Sequence, residues 1–298
     1  MVEQKIAAVV VTYNRRDYLK QCLSALDRQS QRPDLLLVVD NSSTDGTPEV
    51  LAGLAYPGLE VHRLSTNTGG AGGFAFGIEK ALEAGADWIW LMDDDAEPTP
   101  DCLEQLWKAR AMVGEKVLCP LIVGESGPQF YHHKLVDPVT LLERESESIP
   151  TEPVHIHANA FVGPLFPAEL ARRHGLPCAK YFIWCDDLEY TYRISERGAN
   201  IILVPSARIL HHDKAASAAD TAPWKYYYYY RNRCDFIVRH ALPEHLARCK
   251  AGHLRRARKQ AWRWFLERKF SYFYIPLLGI LHYRLQRWGK VYDAKSFR

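Results

Sequence analysis

The chain has 298 residues, 47% of them hydrophobic and 24% charged, with a formal net charge of +3. That is enough apolar material for a sizeable core in one large or two small domains, and no low-complexity tract interrupts it. The seven cysteines (Cys22, Cys102, Cys119, Cys178, Cys185, Cys234, Cys249) are scattered, odd in number and form no CxxC pair; this argues against a disulfide framework or a zinc cage and predicts reduced thiols.

The opening "MVEQKIAAVVVTYNRR" has too short an apolar run for a signal peptide, and its core "KIAAVVVTY" reads as a first buried strand. "RRDYLKQCLSALDRQS" follows with Tyr18, Leu19, Cys22, Leu23 and Leu26 at helical spacing. "DLLLVVDNSS" is a second strand, "TPEVLAGLA" a short helix, "LEVHRLS" a third strand, "FAFGIEKALEAG" a helix and "ADWIWLMDD" a fourth strand. This order predicts an α/β fold with a Rossmann-type, mostly parallel sheet and ligands beyond the strands' carboxyl ends. Thr12, Tyr13 and Asn14, then Asp40 and Asn41, then Asp93, Asp94 and Asp95 fall at three of those ends. From about residue 115 the pattern loosens. The stretch 124–153 reads as loops and short irregular strands around an acceptor cleft. Regularity returns with "FIWCDDLEYTYRISERG", an acidic cluster opening a helix, and "ANIILVPSARILHHD", a late strand ending in two histidines. No stretch reaches the ~18 apolar residues of a membrane span, so the expected compartment is cytoplasmic.

The run "NTGGAGGFAFG" satisfies G-x-G-x-x-[GA], as a dinucleotide site would require, but it does not stand in the first βα turn. A glycine loop lying against a ligand, ahead of a helix N-terminus that favours anions, is the better reading. Three adjacent aspartates at a strand end are expensive unless a positive charge sits there. In an extended segment Asp93 and Asp95 point the same way, toward one Mn²⁺ or Mg²⁺ bridging a diphosphate, while Asp94 turns elsewhere. A carboxylate among Asp186, Asp187 and Glu189, beside Trp184 and Tyr190, suits a general base for a sugar hydroxyl. His211 or His212 could complete the metal's ligands; the pairs His132 and His133, and His155 and His157, read as structural or surface residues.

In this order, "VVVTYNRRDYLKQCLSAL", "VVDNSSTDGT", "NTGGAGGFAFG", "WLMDDDAEP", "FIWCDDLEYTYR", "VPSARILHH" and "YYYYYRNR" resemble family 2 glycosyltransferases of the GT-A fold, over roughly residues 5–240. The resemblance implies an inverting, metal-dependent enzyme using a nucleotide sugar. On it, Thr12, Asn14 and Asp40 contact the nucleotide, with Asn67, Gly70 and Asp94 on the same donor side. Asp93 and Asp95 are the D-x-D ligands, His211 the third metal ligand with His212 as alternative, and Asp186 the base. Arg231, from "YYYYYRNR", is expected to compensate the departing diphosphate. "NTGGAGGF" with "W-x-W-x-x-DDD" resembles galactofuranosyltransferases, implying UDP-galactofuranose as donor and a lipid-linked or polysaccharide acceptor; dTDP-rhamnose is the alternative donor. A sugar-nucleotide pyrophosphorylase would need a glycine-rich basic loop after the first strand, where "TYNRRDY" stands. A catalytically dead scaffold is argued against by the intact Asp93, Asp95 and Asp186.

The expected division is a GT-A domain over 1–240, with a nucleotide-sugar half (1–115) and an acceptor half (116–240), and a helical basic and aromatic region over 241–298. There Trp262, Trp264, Phe265, Phe270, Tyr272 and Phe273 are interleaved with Arg and Lys. That mixture predicts peripheral attachment to an anionic membrane, on the cytoplasmic face of the inner membrane. No nucleic-acid motif accompanies the charge. Nothing in the sequence fixes an oligomeric state.

Overall fold

The structure is a computed structural model that describes residues 4–54, 56–125, 127–145, 148–212, 222–293 and 296. The first half alternates β1 (Ile6–Thr12), α1 (Arg16–Asp27), β2 (Leu35–Asp40), α2 (Thr47–Ala52), β3 (Leu59–Arg63), α3 (Gly69–Glu83) and β4 (Trp88–Asp93). After it come β5 (Ala96–Pro98), α4 (Cys102–Val113), β6 (Val117–Gly124), β7 (Gly127–Pro128), β8 (His133–Val136), β9 (Glu143–Glu145), β10 (Val154–His155) and β11 (Ala158–Asn159). The chain closes through β12 (Leu165–Pro167), α5 (Ala168–His174), α6 (Asp186–Ile194), β13 (Ile201–His211), α7 (Pro223–His240), α8 (Pro243–Leu266) and α9 (Ile275–Arg284).

The main sheet has the order β10-β13-β6-β12-β4-β1-β2-β3, with β5 and β7 paired at its side. Strands β4, β1, β2 and β3 are parallel, as are β6 and β13, whereas β12 runs antiparallel between β4 and β6. β1 is apolar throughout because both its faces are covered. Ala8 and Val10 pack with Leu19 and Leu23 of α1 and Leu103 of α4; Ala7, Val9 and Val11 pack with Phe74 and Ile78 of α3. The register sets Thr12 beside Asp40 and Val11 beside Asp93, so the polar strand ends converge on one rim, as the sequence predicts.

Two elements differ from expectation. α3 starts at Gly69, earlier than the predicted start at Phe74, because the glycines are part of the helix. A Cβ on Gly73 or Gly77 would come within 2.5 Å of Val11 or 2.4 Å of Val9, so these glycines let α3 lie directly on β1. That is close helix packing in the third βα unit, not a dinucleotide turn. The stretch 124–153 is more ordered than predicted: β8 and β9 join β11 in a small three-stranded antiparallel sheet.

The tyrosine run forms α7, and its rings are core. Tyr227 and Tyr228 pack with Trp264 and Ile275, and Tyr230 packs with Ala257 and Ile280. α7 therefore shares its packing with α8 and α9 across the predicted boundary at residue 240. Gly279 permits the tight α7–α9 crossing, since a Cβ there would meet the Tyr227 carbonyl at 2.5 Å. Among the described residues, no helix is long and apolar enough to cross a membrane.

Candidate active site

The rim opens into a cleft of about 710 Å³ bordered by Thr12, Asn14, Asn67, Gly70, Asp93, Asp94, Asp95, Asp186 and His211. The three aspartates divide their work. Asp94 turns back into the protein: the Thr12 hydroxyl donates to its Oδ2 at 2.7 Å and the Tyr13 amide at 3.4 Å. Arg15, from the loop after β1, donates to Asp94 Oδ1 at 3.3 Å and also to Asp95 Oδ2. Arg15 is thus a protein cation that makes the acidic cluster tolerable before any metal binds. It stands next to Asn14 in "TYNRR" and was absent from the predicted site.

Asp93 and Asp95 face His211, and one ligand atom from each lies within 4.8 Å of the others. Asp95 Oδ1 is buried, 3.3 Å from His211 Nε2, and has no hydrogen-bond partner among the described residues. Two carboxylates, one with an unpartnered buried oxygen, and an imidazole fit a hard divalent cation such as Mn²⁺ or Mg²⁺. His211 Nδ1 lies 3.1 Å from Gln129 Oε1, and with its proton donated there Nε2 turns a lone pair toward the aspartates. Gln129 also holds His132, 3.1 Å away, whose ring meets that of His211 edge-on. Sequence reading missed Gln129 and set His132 aside, because 124–153 has no periodicity to place them. His133, by contrast, is structural: its ring bridges Asn159 and the Ile122 amide. His212 faces Glu97 at 2.6 Å and Tyr18, so His211 alone joins the two aspartates.

Burial pushes Asp94 up to about 6 against the pull of Arg15. Burial, with Asp95 and Asp94 beside it, raises Asp93 well above the usual carboxylate range. Burial also works upward on Asp95, but His211 in its protonated form, before a metal takes its Nε2, and Arg15 outweigh it and hold that carboxyl at about 2.

The donor-side residues fall in two groups. Asn14, left-handed at φ 53°, accepts from the Thr44 amide at 2.7 Å and borders the cleft. Asn67 accepts from the Gly69 amide at 2.8 Å and starts α3. Asp40 lies behind the rim, 1% exposed. Its Oδ1 accepts from the Ser43 amide at 2.8 Å, and Oδ2 stands 3.6 Å from Arg63 with no hydrogen bond. Asn41 fixes the glycine turn by accepting from the Thr68 amide and donating to the Gly69 carbonyl, each at 2.8 Å.

Asp186, which also borders the cleft, is the first residue of α6. Gly69 (φ 75°) meets the loop before it so closely that a Cβ would lie 1.9 Å from the Phe182 carbonyl oxygen. The Ala71 amide donates to that oxygen at 3.1 Å. A Cβ on Gly70 would lie 3.9 Å from Asp186 Oδ2, an ordinary contact that puts the glycine run beside this carboxylate. Burial, then the neighbouring Asp187, pushes Asp186 well above the usual carboxylate range. Asp187 accepts from the Leu188 amide at 2.7 Å.

Glu189 leaves the cluster altogether. Fully buried, it accepts from Arg193 Nε at 2.8 Å and stands 3.1 Å from His240 Nε2. Burial would raise it, but His240 and Arg193 prevail and hold it at about 2. A folded-state value below the unfolded 4.5 means its contribution is complete above pH 4.5 and is lost as pH falls toward 2. Glu189→Ala, which takes the carboxylate from partly buried Arg193 and buried His240, is expected to destabilise the fold by about 3 kcal/mol in urea unfolding at pH 7.

Arg231 is not brought to the cleft. It is 0% exposed, stacked against Tyr227, Tyr228 and Trp288, and donates to the Tyr181 carbonyl at 2.7 Å and the Gly289 carbonyl at 2.9 Å. Its donors go to backbone carbonyls and to the Asn232 side-chain oxygen, and it does not border the cleft, so the diphosphate contact expected from "YYYYYRNR" is not made by this buried guanidinium. Among the described residues, Arg15, Lys225 and Lys290 do border the cleft.

The family model described as glycosyl transferase family 2 matches residues 7–160, a span that holds the aspartate triplet but neither Asp186 nor His211. The chain is 30% identical over 293 residues to the galactofuranosyltransferase GlfT1 of Mycobacterium tuberculosis (strain H37Rv), covering 90% of this chain and 95% of the relative. It is 25% identical to the N-acetylglucosaminyl-diphospho-decaprenol L-rhamnosyltransferase of the same organism, covering 73% and 79%. Among solved structures, residues 1–349 of Staphylococcus aureus TarS superpose with a TM-score of 0.63 at 18% identity, covering 94% of this chain and 81% of that one.

Proposed function

The chain belongs to glycosyl transferase family 2, and from that membership we propose that it moves galactofuranose from UDP-galactofuranose onto a lipid-linked or polysaccharide acceptor, with inversion at the anomeric carbon. The observation that carries this reading is a single cleft bordered both by Asp93, Asp95 and His211, whose ligand atoms converge, and by the buried carboxyl of Asp186. Identity with GlfT1 over most of both chains favours the galactofuranose donor over rhamnose, since the rhamnosyltransferase is the more distant relative.

Asp186 takes the proton from the acceptor hydroxyl as that oxygen attacks. Asp93, Asp95 and His211 would hold a Mn²⁺ or Mg²⁺ ion, which would supply positive charge for the departing diphosphate. Thr12, Asn14, Asp40, Asn67, Gly70 and Asp94 form the donor side. Thr12 and Asp94 act chiefly on each other, fixing the rim on which the donor rests. Arg15, half-exposed at the cleft, holds Asp94 and Asp95 in place.

A thermal-shift panel of UDP, dTDP, GDP, ADP and NAD, with and without Mn²⁺, tests the donor. A ligand at about 100 times its Kd stabilises the fold by about 2.7 kcal/mol. The expected result is a Mn²⁺-dependent shift with UDP. A shift with dTDP alone moves the donor to dTDP-rhamnose, and a shift with NAD alone overturns the transferase reading.

We propose further that the protein attaches peripherally to the cytoplasmic face of the inner membrane, where a lipid-linked acceptor would be reached. Supporting this, Trp262, Phe265, Phe270, Tyr274, Leu277 and Leu281 are exposed on α8, α9 and their connection. Rings of Trp262, Phe265, Phe270 and Phe273 touch in series, amid exposed Arg255, Arg258, Lys259, Arg263, Arg268 and Lys269. Aromatic and basic side chains together suit an anionic interface. Co-flotation with anionic liposomes is expected at low salt, and a Trp262→Ser/Phe265→Ser double variant should lose it. Failure of the unaltered protein to float at low salt removes the idea.

A further inference from the structure

The loop that delivers Asp186 is held in a conformation its sequence does not favour. Phe182, Trp184 and Cys185 all adopt left-handed backbone (φ 70°, 64° and 65°), and none is glycine. A bulky residue in that region persists only where its surroundings over-determine it. Here those surroundings come from α7. Asn232, 0% exposed, sets its Nδ2 among the carbonyls of Tyr181, Ile183 and Trp184 at 3.1, 2.9 and 2.8 Å, its two N–H groups serving the three oxygens with one of them shared. Its Oδ1 accepts from Arg231 Nε at 2.9 Å. Three carbonyls on one side and a guanidinium on the other leave a single orientation for the amide. Only an amide supplies both a pair of donors and an acceptor in so short a side chain. Arg231 in turn donates to the Tyr181 carbonyl and, across the other side, to Gly289.

Neither Arg231 nor Asn232 borders the cleft, so their burial serves something other than substrate contact. We propose that Asn232, fixed by Arg231, is a positioning residue for the transfer reaction: it holds the 181–185 loop in its left-handed turns and so aims Asp186 at the acceptor hydroxyl. The proposal rests on the reading of Asp186 as base. It gives the buried "RN" of "YYYYYRNR" a role that no contact with the nucleotide sugar provides. Misplacing a catalytic group by about 1 Å costs about 10²-fold, which sets the scale of the effect.

The test uses the full-length enzyme with Mn²⁺, Asn232→Ala, Asp186→Asn and the double variant. Asn232→Ala is expected to lower kcat by about 10–100-fold while the donor KM and Mn²⁺-dependent UDP affinity stay within about twofold. In the Asp186→Asn background the same change is expected to add less than about twofold, because a base already lost cannot be mis-aimed. Wild-type kcat in Asn232→Ala, a parallel loss of UDP affinity, or full multiplication of the two single effects overturns the proposal. If Asn232→Ala does not fold, Asn232→Ser, which keeps one donor, takes its place under the same criteria. Wild-type turnover in Asp186→Asn defeats the base reading itself. Loss in Asp186→Asn with none in the Asn232 variants defeats only the positioning role.

Discussion

Asp186→Asn is expected to lower the transfer rate by about 10²–10⁴-fold while leaving Mn²⁺-dependent UDP binding within about twofold of the unaltered enzyme. The amide keeps the size and much of the hydrogen bonding of the carboxylate but cannot accept the acceptor's proton. Asp186 borders the cleft but is not one of the converging ligands Asp93, Asp95 and His211, so Mn²⁺-dependent UDP binding is expected to survive the loss of its charge. Its environment also sets the pH dependence. A base works only when ionised, and burial together with Asp187 raises this carboxyl above the usual range. Activity should therefore fall on acidification with an acid limb above that of an exposed aspartate. A pH profile of kcat measures it, and the limb should vanish from the residual rate of Asp186→Asn.

Asp95→Asn is expected to abolish the Mn²⁺ dependence of UDP binding and to lower turnover by about 10³-fold or more, since the charge a bound cation supplies is worth several kcal/mol. Asp95 is the hub of the cluster: its Oδ1 is the buried, unpartnered oxygen beside His211, and its Oδ2 takes Arg15. Arg15 keeps its contact with Asp94 in the variant, so the apo protein should remain folded. Calorimetric titration of Mn²⁺ in the presence of UDP separates the two effects. Asp94→Asn gives the contrast, because Asp94 is turned toward Thr12 and Arg15 and should retain Mn²⁺ binding.

The parallel sheet and its rim were legible because buried β-branched runs and polar strand ends are local signals, and the register of β1 with β2 and β4 follows from them. Asp93 and Asp95 do approach His211 while Asp94 turns away, but the chain turns at Asp94 and Asp95 between β4 and β5 instead of staying extended as the i, i+2 reasoning assumed. Contacts made across the fold left no such trace. Gln129 reaches His211 from a segment without periodicity. Arg231 carries a charge that suggests a phosphate, yet its partners are backbone carbonyls, which no sequence pattern advertises. Glu189 looks like a third acid of the cluster, but helical spacing turns it toward Arg193 and His240. The glycine run was ambiguous because glycine marks close approach without saying to what: Gly73 and Gly77 approach β1, and Gly69 approaches the loop of the base.

The central claim is a single displacement driven by Asp186, and its stereochemistry is the most direct measurement. Proton NMR of the product, taken early in a reaction with the donor that the nucleotide panel selects, reads the configuration of the newly formed glycosidic bond. Inversion relative to the donor is the result predicted by one base and one attack from the opposite face. Retention would require a second displacement, and would contradict the role given to Asp186.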